Sequence, residues 1–348
     1  MTDRWLFPTG LDINPAAGGP DPAMFGSARI TSRINIKSAA ALYRLSRWAS
    51  YGHAVYALFG TEAPGAGYEY SEAGLGEFLD DYAPCIMAVT NRNEWDTEPN
   101  IARTRAENAW AHSVCRARGV PFAISSTLVQ DWHGETTGLG GVNVWPGLWN
   151  LYGPGEVDGD LVDLHLYSYG DGSNLARMLT QYRSMGYQEP TVIGEFGTRI
   201  GEEIPVREMF DAVLDPALGV ASAMLFSLQD FDDPNKLYGL LRQDGSQKDA
   251  FEEFIQVARE RQDQKYIMGG IPPVPTPRFT FFPGQAFEAF ATGHPDLGLV
   301  PTSPMWYEAK HGVGDETFEV VFQDTNKGVL RYNSIVGVAE LLPFDVPR

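Results

Sequence analysis

The sequence predicts an α/β chain built as a (β/α)₈, or TIM, barrel followed by a small, mostly β module, and three observations carry that prediction. Nearly continuous apolar runs rich in Val, Ile, Leu and Ala recur eight times in the first three quarters of the chain. Most are followed by polar stretches punctuated by apolar residues at three- and four-residue steps, the mark of an amphipathic helix. One proline-rich segment, IPPVPTPR from Ile271 to Arg278, then separates a long part from a short one. Prolines lack a backbone donor and favour extended geometry, so this stretch reads as a linker. The expected organisation is a barrel over residues 1–264, a linker over 265–278 and a β module over 279–348.

The eight runs are Thr9 to Pro15, Ser27 to Ile34, His53 to Glu62, Cys85 to Glu94, Pro121 to Gln130, Leu161 to Gly170, Thr191 to Thr198 and Ala221 to Asp230. Helical spacing covers Ser38 to Ser50, Glu98 to Arg118, Asn174 to Met185, Glu202 to Leu214 and Lys248 to Arg261. Strands that are apolar on both faces are buried on both, and alternation with helices implies a parallel sheet. Eight such units fit a closed barrel better than a doubly wound open sheet. No G-x-G-x-x-G or G-x-x-x-x-G-K-[ST] follows any run, so no nucleotide cofactor is expected. Beyond the linker, FTFFPGQAF, FEVVFQD and GVLRYNSIV alternate apolar with polar residues or end in turn formers, as short strands do.

Composition narrows the function. Across 348 residues, 26 Lys and Arg stand against 45 Asp and Glu, a net charge of −19 that repels phosphate backbones and anionic lipid surfaces. No nucleic acid and no membrane insertion are expected. The two cysteines, Cys85 and Cys115, make neither a disulfide framework nor a cysteine zinc site, and two thiols are expected rather than a bridge. The six histidines are dispersed and no H-E-x-x-H occurs, so no metal is expected; G-x-S-x-G is absent as well. The opening MTDRWLFPTG has no basic segment leading into an apolar stretch, so it does not read as a secretory signal; an extracellular or phage-encoded protein is expected, with a signal removed beforehand or export by another route.

Reactive residues of such a barrel project from the C-terminal ends of its strands. The fourth run ends in Asn93-Glu94-Trp95-Asp96 and the seventh in Gly194-Glu195-Phe196-Gly197, while the sixth carries Asp163-x-His165-x-Tyr167. Two carboxyl groups facing across a cleft are what glycoside hydrolysis needs: one protonates the leaving oxygen and the other attacks the anomeric carbon or activates water. Glu195 follows four residues of apolar strand without a polar break, and an ionisable group there calls for a partner or a task. Alternation puts Asp163, His165 and Tyr167 on one side of the sixth strand, from which Tyr167 can donate to Glu195.

On these residues the chain resembles the clan A glycoside hydrolases, retaining (β/α)₈-barrel enzymes, from Thr9 to about Arg261. The resemblance implies that Glu94, after Asn93, is the acid/base and Glu195 the nucleophile. It further implies that His165 and Tyr167 form the His-x-Tyr of strand six and that Arg33, better placed than Arg29, pairs with the nucleophile. The passage Tyr238-Gly239-Leu240-Leu241 into Asp244-Gly245-Ser246-Gln247-Lys248 is similar to one before the last helix in several families of the clan. Many members end strand eight with a tryptophan, whereas this strand reads Leu225-Phe226-Ser227-Leu228-Gln229-Asp230, so the sugar platform is expected elsewhere. Trp95 and Trp132 are candidates for stacking on sugars, and Gln229 and Asp230 for binding hydroxyls. The expected activity is polysaccharide degradation by a retaining hydrolase acting on a β-linked glycan, with cell-wall and plant polysaccharides as candidate polymers. The rival expectation is a non-catalytic carbohydrate-binding or structural barrel of a phage particle or cell envelope.

Overall fold

A computed structural model describes residues 4–13, 21–93, 101–130, 151–167, 173–184, 186–197, 204–231 and 238–268, together with four strands in the C-terminal part. Eight parallel strands close into a barrel in chain order: β2 (Thr9–Asp12), β3 (Thr31–Asn35), β4 (Ala54–Phe59), β5 (Ala88–Asn91), β6 (Phe122–Gln130), β7 (Leu161–Tyr167), β8 (Thr191–Gly197) and β9 (Val220–Leu225). Each lies within, or one residue from, its apolar run in the sequence. The helices among the described residues are α1 (Ala39–Ser50), α2 (Glu72–Tyr82), α3 (Ile101–Ala117), α4 (Ser173–Ser184), α5 (Val206–Val213) and α6 (Asp249–Arg261). None is long and apolar enough to cross a membrane.

Helix α2 is the one that periodicity does not announce, because Gly74 and Gly76 weaken its propensity. Its first turn is fixed instead by a side-chain cap and a close backbone approach. Ser71 caps it by accepting from the Gly74 amide at 3.1 Å, and Gly74 passes so near the Glu69 carbonyl that a Cβ would fall 2.0 Å from that oxygen.

Two apolar layers hold the barrel. The outer one joins outward strand residues such as Ile34, Val55, Leu164, Ile193 and Phe196 to the helices. The inner one fills the barrel with Ala54, Tyr56, Ala88, Ala123, Leu161, Val192, Ala221 and Met224, to which Leu6 and Phe7 add from outside the strands. Four alanines in that layer leave room for Phe7, Tyr56 and Met224. A short strand β1 (Arg4–Leu6) pairs antiparallel with β10 (Tyr266–Met268), tying the start of the barrel to its end. That pairing, across some 260 residues, has no local signature.

In the C-terminal part, β11 (Trp306–His311), β12 (Thr317–Thr325), β13 (Gly328–Asn333) and β14 (Val338–Pro343) form an antiparallel meander, the small β structure that the sequence predicts. Cys85 and Cys115 are free thiols; Cys115 is buried and Cys85 half-buried.

Candidate active site

Alternation sets which side chains enter the barrel. Along β7, Leu161 belongs to the inner layer while Val162, Leu164 and Leu166 belong to the outer one, so Asp163, His165 and Tyr167 point inward. Along β3 the same rule turns Thr31, Arg33 and Asn35 inward. Strand β8 breaks the rule. Val192 is inward and Ile193 outward, and plain alternation would then send Gly194 inward and Glu195 out toward the helices. The register with β7 slips instead: Leu164 pairs with Ile193, but His165 pairs with Glu195, leaving Gly194 as an extra residue. The pairing with β9 carries the same extra residue between Ile193 and Phe196. A one-residue slip flips every following side chain, and Glu195 faces the barrel mouth while Phe196 packs outward on Phe210.

Glu195 is buried, 6% exposed, and both of its oxygens are engaged. Arg33 Nη1 donates to Oε1 at 2.7 Å and Tyr167 donates its hydroxyl to Oε2. Nη1 of Arg33 also reaches Asp12 at the end of β2, and Nη2 donates to Asn93 Oδ1 at 2.6 Å. His165 lies against the same group, Nε2 at 3.4 Å from Arg33 Nη2 and Nδ1 at 3.6 Å from Glu195 Oε2. A guanidinium only donates, so Nε2 takes the acceptor role and the N–H edge of the ring faces Glu195. Burial by itself would raise the Glu195 carboxyl. The positive side of His165, the charge of Arg33 and the hydrogen bonds from Tyr167 and Arg33 outweigh burial and hold it below the ordinary glutamate value. Burial pulls Arg33 down, but Glu195, Asp12 and Asp163 prevail and keep it charged.

Above this carboxylate opens a cavity of about 280 Å³ lined by Arg33, Asn35, Lys37, Glu62, Arg92, Asn93 and Glu195. Its wall at the end of β5 is set by Arg92, which adopts a left-handed backbone with φ of 59°. Such strain costs about 1 to 3 kcal/mol and persists only where neighbours over-determine it. Here Tyr70 accepts from Arg92 Nε at 2.8 Å and Glu107 of α3 accepts from Nη2 at 2.8 Å. Phe226, which precedes a cis peptide bond to Ser227, stands edge-on to Tyr167 with ring centroids 6.0 Å apart.

The structure thus brings together Arg33, Asn93, His165, Tyr167 and Glu195. Arg29 sits apart, donating to the Gly26 and Ala28 carbonyls. Glu94, Trp95 and Trp132 lie outside the described residues. Gln229 and Asp230, expected to bind hydroxyls, are engaged elsewhere and do not line the cavity at Glu195. Asp230 accepts from Lys248 Nζ at 2.9 Å and from the Gly239 amide at 2.8 Å, and Gln229 donates to the Arg242 and Gln243 carbonyls. They brace the loop into α6. Asp12 and Tyr56 also join this cluster, and in the sequence each shows only as a polar group inside an apolar strand. Among the described residues, no cluster of three or more His, Cys, Asp or Glu could hold a metal ion.

No protein-family model matches the chain, and no curated protein matches it in sequence. Solved structures do match in fold. An exo-β-1,4-mannosidase from Opitutaceae bacterium strain TAV5 is 16% identical with a TM-score of 0.51, the match covering 74% of this chain and 60% of that one. A β-glucuronidase of Faecalibacterium prausnitzii is 16% identical, TM-score 0.47, covering 74% and 49%. An endo-1,4-β-D-mannanase of Thermotoga petrophila RKU-1 is 14% identical, TM-score 0.44, covering 74% and 99%. The first two matches span about half to three fifths of those longer chains. The likeness to the mannosidase establishes the (β/α)₈ barrel fold.

Proposed function

We propose that this chain is a retaining glycoside hydrolase of the clan A type that cleaves a β-linked oligo- or polysaccharide, with Glu195 as nucleophile and Glu94 as acid/base. The observation that carries the reading is the inward, buried Glu195, held ionised by Arg33 and Tyr167 at the floor of a polar cavity. A nucleophile must be a carboxylate at the working pH, and these contacts favour that form. Attack by Oε2 or Oε1 on the anomeric carbon gives a glycosyl-enzyme while Glu94 passes its proton to the leaving oxygen. Glu94 then takes a proton from a water molecule as its oxygen bonds to the anomeric carbon, breaking the bond to Glu195 and returning it as carboxylate. Asn93, fixed by Arg33, is the candidate partner of the sugar 2-hydroxyl. Phe226, edge-on to Tyr167 at the end of the strand where many clan members carry tryptophan, is the candidate apolar platform for the sugar. A purely carbohydrate-binding role would not need a carboxylate so heavily braced.

The experiment is stereochemical. Aryl β-glycosides should be hydrolysed with release of the phenol, and proton NMR should show the β-anomer first. Glu195→Ala should abolish turnover, and azide should restore part of it as an α-glycosyl azide. A first-formed α-anomer from the unmutated protein would sink the assignment of Glu195 as nucleophile.

A further inference from the structure

Glu195 reaches the barrel mouth only because β8 carries one extra residue, and an extra residue in a sheet persists only where something replaces the ladder bonds it disturbs. The replacement is visible. Asp163 Oδ1 accepts from the amide of Gly194, the bulged residue, at 2.9 Å. Its other oxygen accepts from Tyr56 of β4 at 2.6 Å, so the carboxylate is fixed from across the barrel. Asp163 is fully buried. The fit excludes any larger residue at the bulge: a Cβ on Gly194 would fall 2.3 Å from Asp163 Oδ1.

We propose that Asp163 is a positioning residue for Glu195: held by Tyr56, it takes the Gly194 amide and so maintains the register slip that turns Glu195 from the helix layer into the barrel mouth. It touches no reacting atom; it acts through the backbone of β8. The inference rests on the reading of Glu195 as nucleophile for its consequence in catalysis, but the slip itself can be tested without turnover. Burial raises the Asp163 carboxyl against the opposing effects of His165, Arg33 and Tyr56, consistent with a group kept for its oxygen geometry rather than for its charge.

The test compares Asp163→Asn, which keeps an acceptor oxygen, with Asp163→Ala and Asp163→Leu, which do not. On aryl β-glycosides, Ala and Leu should lower kcat by at least about 100-fold, the loss expected for an ångström-scale misplacement, with KM within about threefold. Asn should recover kcat to within about tenfold of the unmutated protein. Independently, carbon-13 NMR of labelled glutamate carboxyls should show Glu195 titrating below the ordinary range in the unmutated and Asn proteins, and above it in Ala and Leu, where it leaves Arg33 and Tyr167. Unchanged kcat and Glu195 titration in Ala or Leu, or an Asn variant no better than Ala, would overturn the proposal. If neither Ala nor Leu folds, Asn decides through hydrogen exchange: the Gly194 amide should stay as slow as in the unmutated protein, and fast exchange there would refute the clamp. Should the unmutated protein hydrolyse no glycoside, the proposed function fails, while the titration and exchange data still settle whether Asp163 holds the slip.

Discussion

Replacing Arg33 by methionine removes one charge from the contact of two buried carboxylates. Asp12 and Glu195 are 2% and 6% exposed, and both bond the same Nη1. At an effective dielectric of about 20, unit charges 2.7 Å apart attract by roughly 6 kcal/mol. Most of that gain offsets the cost of taking the three groups out of water. Removing the cation leaves the cost without the gain, and a broken buried pair typically loses about 3 to 5 kcal/mol. The sign of the pH dependence follows. In the unmutated protein Glu195 is depressed, so its contribution is present above the unfolded glutamate value and is lost as pH falls through the lower folded value. In the variant, burial prevails and the carboxylates are stabilised by protonation, so the deficit should be largest near pH 7 and shrink toward about pH 4. Urea unfolding followed by tryptophan fluorescence at both pH values measures this. Arg33→Met/Asp12→Asn should regain part of the loss, since one uncompensated charge is gone. A deficit under about 1 kcal/mol near pH 7, or one independent of pH, would refute the view that Arg33 neutralises this cluster.

Tyr167→Phe removes a hydrogen bond to a charged acceptor, worth roughly 1.5 to 3 kcal/mol, so the acid limb of the pH–rate profile, expected below the ordinary glutamate range, should rise by about one to two pH units; an unmoved limb would show that Tyr167 does not support the ionised form. His53, buried against Trp48 and Phe25 and pushed down to about 4, is neutral in the fold, so stability should be complete above about pH 6.5 and be lost as pH falls toward 4, by roughly 3 kcal/mol in total. His53→Asn should flatten the urea-stability curve across that window, and an equally steep curve would count against this assignment.

Local chemistry made the barrel legible. Nearly continuous apolar runs and 3.6-residue helical stripes are properties of a few consecutive residues, so eight strands and five of the helices can be read before any folding is considered. The same holds for the shared side of Asp163, His165 and Tyr167, because alternation along one strand follows from chain order. Helix α2 escaped, since Gly74 serves a close approach to Glu69 and Gly76 one to the Arg118 guanidinium rather than a propensity. Gln229 and Asp230 could be placed near strand eight, but their hydrogen bonds to Arg242, Gln243, Gly239 and Lys248 depend on how the following loop folds back. The direction of Glu195 was the tertiary structure's alone to decide. Alternation along β8 points it outward, and only the slip against β7 and β9, with Asp163 bound to the Gly194 amide, turns it in. Register is a relation between strands brought together by the closed barrel, and a linear sequence carries the residues of that relation without carrying their alignment.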